Sequence, residues 1–301
     1  MQKLRSYVLP VAIALGCLFH NYCSSLVFLT PWLLYLILLL TFCAVDLRSL
    51  RPQKLDLWLL AYQVIVSGAL YLLLRWCGVD EIVSQGILVG VLCPVAASSV
   101  VIACMLGANR ATMTTFTILS NLVTVVAAPL YFSFIGQQQD MPFFQSAWIV
   151  FRHVFSAVGL PFLTALALQL VWPKANNFLT RYKTWSFYFW AVLFTITFGQ
   201  TVHFIVLQGS THLASVVILT VAAVVGAVLQ FGMGRVIGRH YGQTITGQQL
   251  MGQKNSSLGI WMANLYLEPL SAVYLASYSI VQNIFNSVQI WWAQKHGVKE
   301  T

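Results

Sequence analysis

The sequence predicts an all-α polytopic membrane protein with ten transmembrane helices in two inverted five-helix repeats. Three observations lead to this fold class. The 301 residues are 59% hydrophobic and only 8% charged, which is more apolar surface than one soluble core can bury. Ten apolar segments have the length that a bilayer demands, and the polar stretch at 137–140 divides them into two sets of five. Because five is odd, the second set must cross the membrane in the opposite sense to the first.

Each predicted helix rests on its own apolar stretch. The first stretch begins with basic residues, as a signal peptide does, but no small-x-small cleavage site follows, so we interpret it as a helix. The two repeats are expected over residues 1–136 and 141–298. The ten segments are expected near residues 6–22, 28–45, 56–75, 83–107, 112–136, 153–172, 185–207, 212–234, 243–267 and 270–293.

The net charge of +9 is explained by orientation in the membrane. With the N-terminus inside, Arg75 and Arg152 fall on the outer side, Lys254 lies at depth, and the other basic residues fall in cytoplasmic segments. This asymmetry predicts that both termini are cytoplasmic, and it requires no nucleic-acid partner. The six cysteines lie in or beside apolar segments without metal-ligand spacing, which is typical of buried small side chains.

The fourth and ninth segments carry matching interruptions. Residues Pro94–Ser99 and Gly252–Ser257 each begin with a helix breaker that is followed by a pair of serines. Interruptions in corresponding segments of two halves are a sequence indication of a transporter site near the middle of the membrane, because broken helices expose backbone groups that need partners. Serine and glycine also occur in membrane helices to allow close packing, and for either segment alone this is the simpler explanation.

Several motifs across the chain are similar to those of the bile acid:sodium symporter family. They are Leu40–Arg48 followed by Pro52, Cys93–Pro94 with Ala97–Val101, Gly252–Leu258, and the pair Gln282–Asn283. The resemblance implies crossed, broken fourth and ninth helices, a panel made of segments one, two, six and seven, and a core made of the rest. It also implies a monomeric carrier of small organic anions in the lipid of a bacterial inner membrane.

The resemblance further implies two ion sites beside the crossing. The first would use Ser98, Ser99, Thr117 and Asn121, and the second would use Gln63 and the unwound ninth segment, including Ser256. Oxygen ligands of this kind suit a small alkali cation, so sodium is one expected coupling ion, and the proton is another. Ordinary hydrogen bonding between helices is the alternative role for Thr117 and Asn121.

At Lys254 the sequence departs from the family pattern. Leu250 stands where the family has a shared glutamate, and Lys254 stands where it has an ion-binding glutamine. A cation roughly 4 Å from this ammonium would be repelled by about 4 kcal/mol at an effective dielectric constant near 20. Lys254 lies about eleven residues from either end of its segment, roughly 16 Å at 1.5 Å per residue, which is too deep for easy snorkelling.

We therefore predict that the Lys254 ammonium replaces the second sodium ion. Unwound backbone carbonyls and the side-chain oxygens of Gln63 and Gln253 are expected to accept its three hydrogens. Two versions stay open: either Lys254 remains charged and sodium coupling is lost or weakened, or Lys254 exchanges its proton during transport and couples the carrier to protons.

The resemblance places Asn255, Gln282 and Asn283 at the substrate cavity, with Lys254 attracting an amphipathic organic anion such as a bile acid or another carboxylate. Polar contacts between helices are their alternative role. A conventional sodium-coupled symporter and a non-transporting binding protein remain alternatives. A channel would need a continuous ring of polar residues, whereas the polar residues here cluster at the two breaks. An enzyme or a cofactor site is not expected, because no metal motif or paired acids lie at depth.

Overall fold

A computed structural model describes residues 2–47, 50–96, 99–136 and 141–295. The described residues are helical, and their one β-type pairing is an isolated bridge. The helices are α1 (Gln2–Leu18), α2 (His20–Ser25), α3 (Thr30–Cys43), α4 (Lys54–Trp76), α5 (Glu81–Leu92), α6 (Ser99–Met105), α7 (Arg110–Ile135), α8 (Phe143–Val171), α9 (Pro173–Arg181), α10 (Trp185–Gln208), α11 (Leu213–His240), α12 (Thr244–Gly252), α13 (Ser256–Tyr266) and α14 (Val273–Lys295).

Five of these helices, α4, α7, α8, α10 and α11, are long and apolar enough to cross a membrane by themselves. The protein is therefore a helical, multi-pass membrane protein. Helices α3 and α5 are apolar but shorter. The remaining predicted spans coincide with helices that are shorter or broken, so the number ten and the two inverted repeats stay predictions.

The expected start of the sixth segment at residue 153 is wrong. Helix α8 begins at Phe143, directly after Pro142, whose fixed φ suits a residue that precedes a helix. The basic pair Arg152 and His153 resembled a membrane boundary, but the apolar pattern on both sides continues the same helix through them. Arg152 consequently lies nine residues, about 14 Å, inside the helix.

Local capping explains where several core helices begin. Asp80 accepts hydrogen bonds from Ile82 N and Val83 N at the start of α5, and the Asn109 side chain accepts one from Thr112 N at the start of α7. At the start of α4, Gln53 and Asp56 form a reciprocal capping box. These contacts satisfy backbone N–H groups that have no partner within the helix.

The helices pack into two groups. Helix α10 packs against α1, α2 and α3, and α3 also packs against the second half of α8 and against α9. We call α1–α3 and α8–α10 the panel. Helices α4–α7 and α11–α14 form the second group, which we call the core, and α7 also packs against the first half of α8. Between α11 and α12 the backbones approach closely, because a Cβ atom on Gly247 would lie 2.6 Å from the Gly238 Cα.

Candidate substrate and ion site

The first break in the core follows α5. Helix α5 ends at Leu92, and Cys93 is extended, with φ −54° and ψ 130°. Pro94 causes this conformation, because a proline ring disfavours the helical region for the residue before it and supplies no N–H donor. The chain becomes helical again at Ser99 in α6. The carbonyls at the end of α5 therefore need donors from outside their own helix.

The second break separates α12 from α13. Helix α12 ends at Gly252, Gln253 is extended with ψ 105°, and Asn255 begins α13 by accepting a hydrogen bond from Leu258 N. Glycine is required at residue 252, because a Cβ atom there would lie 2.4 Å from the Phe231 ring. The Gly252 carbonyl accepts a hydrogen bond of 2.8 Å from the Tyr278 hydroxyl, in the core.

The two breaks meet each other. Val95 and Lys254 form an antiparallel bridge, and Asn255 N donates to the Pro94 carbonyl at 2.8 Å. The Cys93 thiol donates to the Asn255 carbonyl at 3.0 Å. Each unwound segment therefore supplies backbone partners to the other, which is how broken helices can be tolerated inside a membrane protein.

Lys254 extends its side chain from the second break to the end of the first. The residue is buried, with 5% of its surface exposed. Its Nζ donates to the Val91 carbonyl at 2.9 Å and to the Cys93 carbonyl at 3.2 Å. These are carbonyls that the break in α5 leaves without helical partners, so the ammonium serves as the cap of that helix.

The positive charge of Lys254 is balanced by backbone dipoles. No acidic residue of the described ranges forms an ion pair with it; the ion pair that the structure shows joins Arg75 and Glu81, both half-exposed. The C-terminus of a helix carries roughly half a negative elementary charge. The C-terminus of α5 therefore faces the ammonium, which donates to the carbonyls of Val91 and Cys93.

Gln63 completes the capping of α5. Its Nε2 donates to the Leu92 carbonyl at 2.8 Å and to the Thr124 hydroxyl at 3.1 Å. Three successive carbonyls, those of residues 91, 92 and 93, thus receive donors from Lys254 and Gln63. The expectation that the Gln63 oxygen accepts from Lys254 is wrong, because the ammonium donates to two backbone carbonyls and the Gln63 amide acts as a donor beside them.

The same expectation is wrong for Gln253, whose side chain points to a different set of partners. Its Nε2 donates to Gln249 Oε1 at 2.9 Å and to Asn286 Oδ1, and its Oε1 accepts from Asn286 Nδ2 at 3.3 Å. Gln249 in turn donates to Gln289 at 2.7 Å. These amides connect α12 and the residue after it to α14 and hold the first half of the broken helix in place.

Gln282 holds the Lys254 backbone. Its Oε1 accepts from Lys254 N at 2.7 Å, and its Nε2 donates to the Lys254 carbonyl at 3.4 Å. Both ends of this amide are engaged, so Gln282 positions the lysine backbone, and its contact with substrate stays a prediction. Asn283 donates to the Ser279 carbonyl at 2.6 Å, and both Asn283 and Asn255 are partly exposed.

The residues expected at the first ion site cluster around Val95. Asn121 Nδ2 donates to the Val95 carbonyl at 3.2 Å and to the Thr117 carbonyl at 2.7 Å, while Ser99 and Thr117 donate to backbone carbonyls of their own segments. The Asn121 Oδ1 atom is buried and has no hydrogen-bond partner. Ser98 lies outside the described residues.

Two serines at the start of α13 also have free hydroxyls. The Oγ atoms of Ser256 and Ser257 are buried without hydrogen-bond partners. They lie two and three residues after Lys254 at the N-terminus of α13, which favours negative charge. The site therefore has acceptor oxygens that suit a cation near Asn121, and hydroxyl and backbone donors that suit an anion at α13.

Sequence reasoning missed a buried acid and part of the amide network. Asp56 is fully buried at the start of α4, although no acid was expected at depth; its place in the sequence, three residues after Gln53, was the available signal for a capping box. Gln63 lies seven residues further along the helix, about 10 Å away, so Asp56 is not the counter-ion of Lys254. Asn286 could have been found from its spacing of four residues from Gln282.

Comparison with known proteins identifies a family for this arrangement. The family model described as the Sodium Bile acid symporter family matches residues 31–208 of the chain. No curated protein matches the chain. The matched range is more than half of the chain, and it contains the break at Pro94, Gln63 and Asn121. Lys254 follows the matched range, so its interpretation depends on the geometry described above.

Proposed function

Because the chain belongs to the Sodium Bile acid symporter family, whose members are transporters and not enzymes, we propose that it is a secondary active transporter of an amphipathic organic anion in which Lys254 replaces a sodium ion. The observation that carries this proposal is the pair of hydrogen bonds from Lys254 Nζ to the carbonyls of Val91 and Cys93. A bound cation would need the same oxygens. Transport would proceed by rocking of the panel against the core, as in carriers with broken helices.

The substrate anion is proposed to bind beside the crossing. The free hydroxyls of Ser256 and Ser257 and the N-terminus of α13 offer donors, and the ammonium of Lys254 offers the positive charge. Asn255 and Asn283 are partly exposed and would contact the uncharged part of the ligand. Bile acids and smaller carboxylates both fit this chemistry.

A conventional sodium-coupled symporter is the second candidate. Family membership and the unpartnered Asn121 Oδ1 favour it, because Ser98, Ser99, Thr117 and Asn121 would then form one remaining sodium site. A non-transporting binding protein on the same fold is the third; it would bind ligand at equilibrium without exchanging it across the membrane.

The deciding experiment measures uptake of cholate and of lactate by proteoliposomes. The wild type is expected to transport with choline in place of sodium. If Lys254 stays charged, moving a monovalent anion alone transfers net charge across the membrane. An imposed potential of 100 mV then changes the free energy of moving each anion by about 2.3 kcal/mol. If Lys254 exchanges a proton, a pH gradient drives uptake instead. Strict sodium dependence of the wild type contradicts both versions.

A double variant tests the role of the lysine directly. Leu250→Glu with Lys254→Gln restores the acid and the amide that resemble the family pattern, and it is expected to gain sodium-stimulated uptake. Lys174→Gln makes the same lysine-to-glutamine change on an exposed residue of α9 and should leave the sodium response unchanged. A double variant that stays insensitive to sodium would contradict the replacement of an ion by Lys254.

A further inference from the structure

Two side-chain hydrogen bonds join the panel to the core near the end of α13. His153 of α8 and Tyr266 of α13 share a hydrogen bond of 2.8 Å between Nδ1 and the hydroxyl. Asn264 Nδ2 of α13 donates to Gln200 Oε1 of α10 at 3.0 Å. One short segment of the core is therefore held from two sides by two different panel helices.

Both hydrogen bonds are partly buried between the panel and the core, and each has one buried partner. Tyr266 is 2% exposed and Gln200 is 8% exposed. The Tyr266 ring stands between a panel ring and a core ring, 6.3 Å from His153 and 6.0 Å from Phe132. On α10, Thr197 lies one turn before Gln200 on the same face and is fully buried. The Thr197 side chain is therefore shielded from water while the panel and the core are in contact here.

The two bonds lie on one side of the crossing. Tyr266 ends α13, ten residues after the helix begins at Ser256 beside Lys254, and this distance is about 15 Å. It is followed by Glu268, which belongs to the side predicted to face outward. The two bonds therefore join the panel to the core between the site and that side, and the panel can move away from the core there only after they break.

We propose that the pairs His153–Tyr266 and Gln200–Asn264 form a latch that holds the panel on the core at the predicted outer side and opens once in each transport cycle. The inference rests on the rocking motion given under the proposed function. Polar pairs suit this task, because each partner can bond to water after separation, so opening costs only the small net energy of a hydrogen bond. A seam closed by apolar side chains alone would expose them to water at each opening.

The test uses variants that remove one hydrogen bond and little else. Tyr266→Phe removes the hydroxyl and keeps the stacked ring. Gln200→Met removes the acceptor oxygen and keeps a side chain of similar length. The controls are Tyr131→Phe, which removes a bond of 2.7 Å to the Val64 carbonyl within the core, and Tyr35→Phe, which removes a bond of 3.1 Å to Thr164 within the panel. All four variants are purified and tested as full-length chains in nanodiscs.

The measured quantity is the rate at which a cysteine at residue 197, introduced as T197C, reacts with a membrane-impermeant maleimide in each variant. Labelling is measured in nanodiscs by mass spectrometry of the peptide that contains residue 197. A net hydrogen bond changes an equilibrium by about three- to tenfold, so Tyr266→Phe and Gln200→Met should each raise the rate by about that factor. Tyr131→Phe and Tyr35→Phe should not change it.

The outcomes separate this inference from the proposed function. Unchanged labelling in both latch variants, or an equal increase in the two controls, overturns the latch. If one latch variant fails to fold, the other decides. The assay contains no substrate, so increased labelling supports the latch even if the uptake experiments find no transport. Loss of uptake without increased labelling does not support the latch.

Discussion

Removing the charge of Lys254 should give the protein a stabilising response to sodium that the wild type lacks. In the wild type, Nζ lies 2.9 Å from the Val91 oxygen and 3.2 Å from the Cys93 oxygen. A sodium ion bound by those two carbonyls would occupy nearly the same position, so the ammonium and the ion exclude each other. A cation forced to about 4 Å would still be repelled by about 4 kcal/mol, which corresponds to about a thousandfold in affinity.

Lys254→Gln removes this repulsion and supplies a side-chain oxygen in place of the ammonium. If the sodium concentration is ten times the dissociation constant of this site, binding stabilises the folded state by about 1.4 kcal/mol. This stabilisation raises the melting temperature by a few degrees. Lys254→Met removes the charge but offers no ligand oxygen, so sodium should raise its melting temperature less. The comparison separates removal of a charge from provision of a ligand.

The assay is thermal unfolding in detergent micelles with sodium chloride and with choline chloride at equal ionic strength. Lys174→Gln, on the exposed side of α9, controls for the loss of a positive charge elsewhere and should behave as the wild type does. A wild type that gains as much from sodium as Lys254→Gln would refute the reasoning, because it would mean that an ion binds despite the ammonium.

Two further variants test the packing around the crossing by thermal unfolding. Gln63→Leu leaves the Leu92 carbonyl without its donor and should lower the free energy of unfolding by about 1–3 kcal/mol; an unchanged stability would show that the carbonyl finds another partner. Gly90→Ala places a Cβ atom 2.0 Å from the Tyr274 ring and should lower the free energy of unfolding by about 1–3 kcal/mol. Gly232→Ala meets nothing within 4 Å, so it should be neutral or stabilising, and equal losses in the two glycine variants would contradict the packing argument.

The fold was predictable where a single residue type decides the backbone. Pro94 and Gly252 each mark a helix that ends within a few residues of them, because the first constrains its neighbour and the second cannot carry a side chain against Phe231. The start of α8 was missed because Arg152 and His153 suggested a membrane boundary. Charge alone does not end a helix when apolar residues continue on both sides of it.

The site was predictable in its residue types and not in its contacts. The sequence identified Lys254 as a buried charge and expected both unwound backbone carbonyls and glutamine oxygens as its partners. The structure gives it the carbonyls of Val91 and Cys93 and neither glutamine oxygen. Backbone carbonyls are the same in every residue, so nothing in the sequence distinguishes the ones that a helix break leaves free. The two panel-to-core bonds were missed for a related reason, since each joins residues more than sixty positions apart.

A tethered ammonium has a different consequence for transport from that of a dissociable ion. A sodium ion that caps α5 leaves in each cycle, so the carbonyls at the break are satisfied only when the ion is bound, and the crossing is coupled to the sodium gradient. Lys254 never leaves, so those carbonyls keep their donor in the empty transporter, and the crossing gains stability that does not depend on any ion gradient. If Lys254 replaces the ion as proposed, the driving force comes from what still changes during the cycle: the substrate anion, the proton on the lysine, or a cation at the separate oxygen cluster around Asn121.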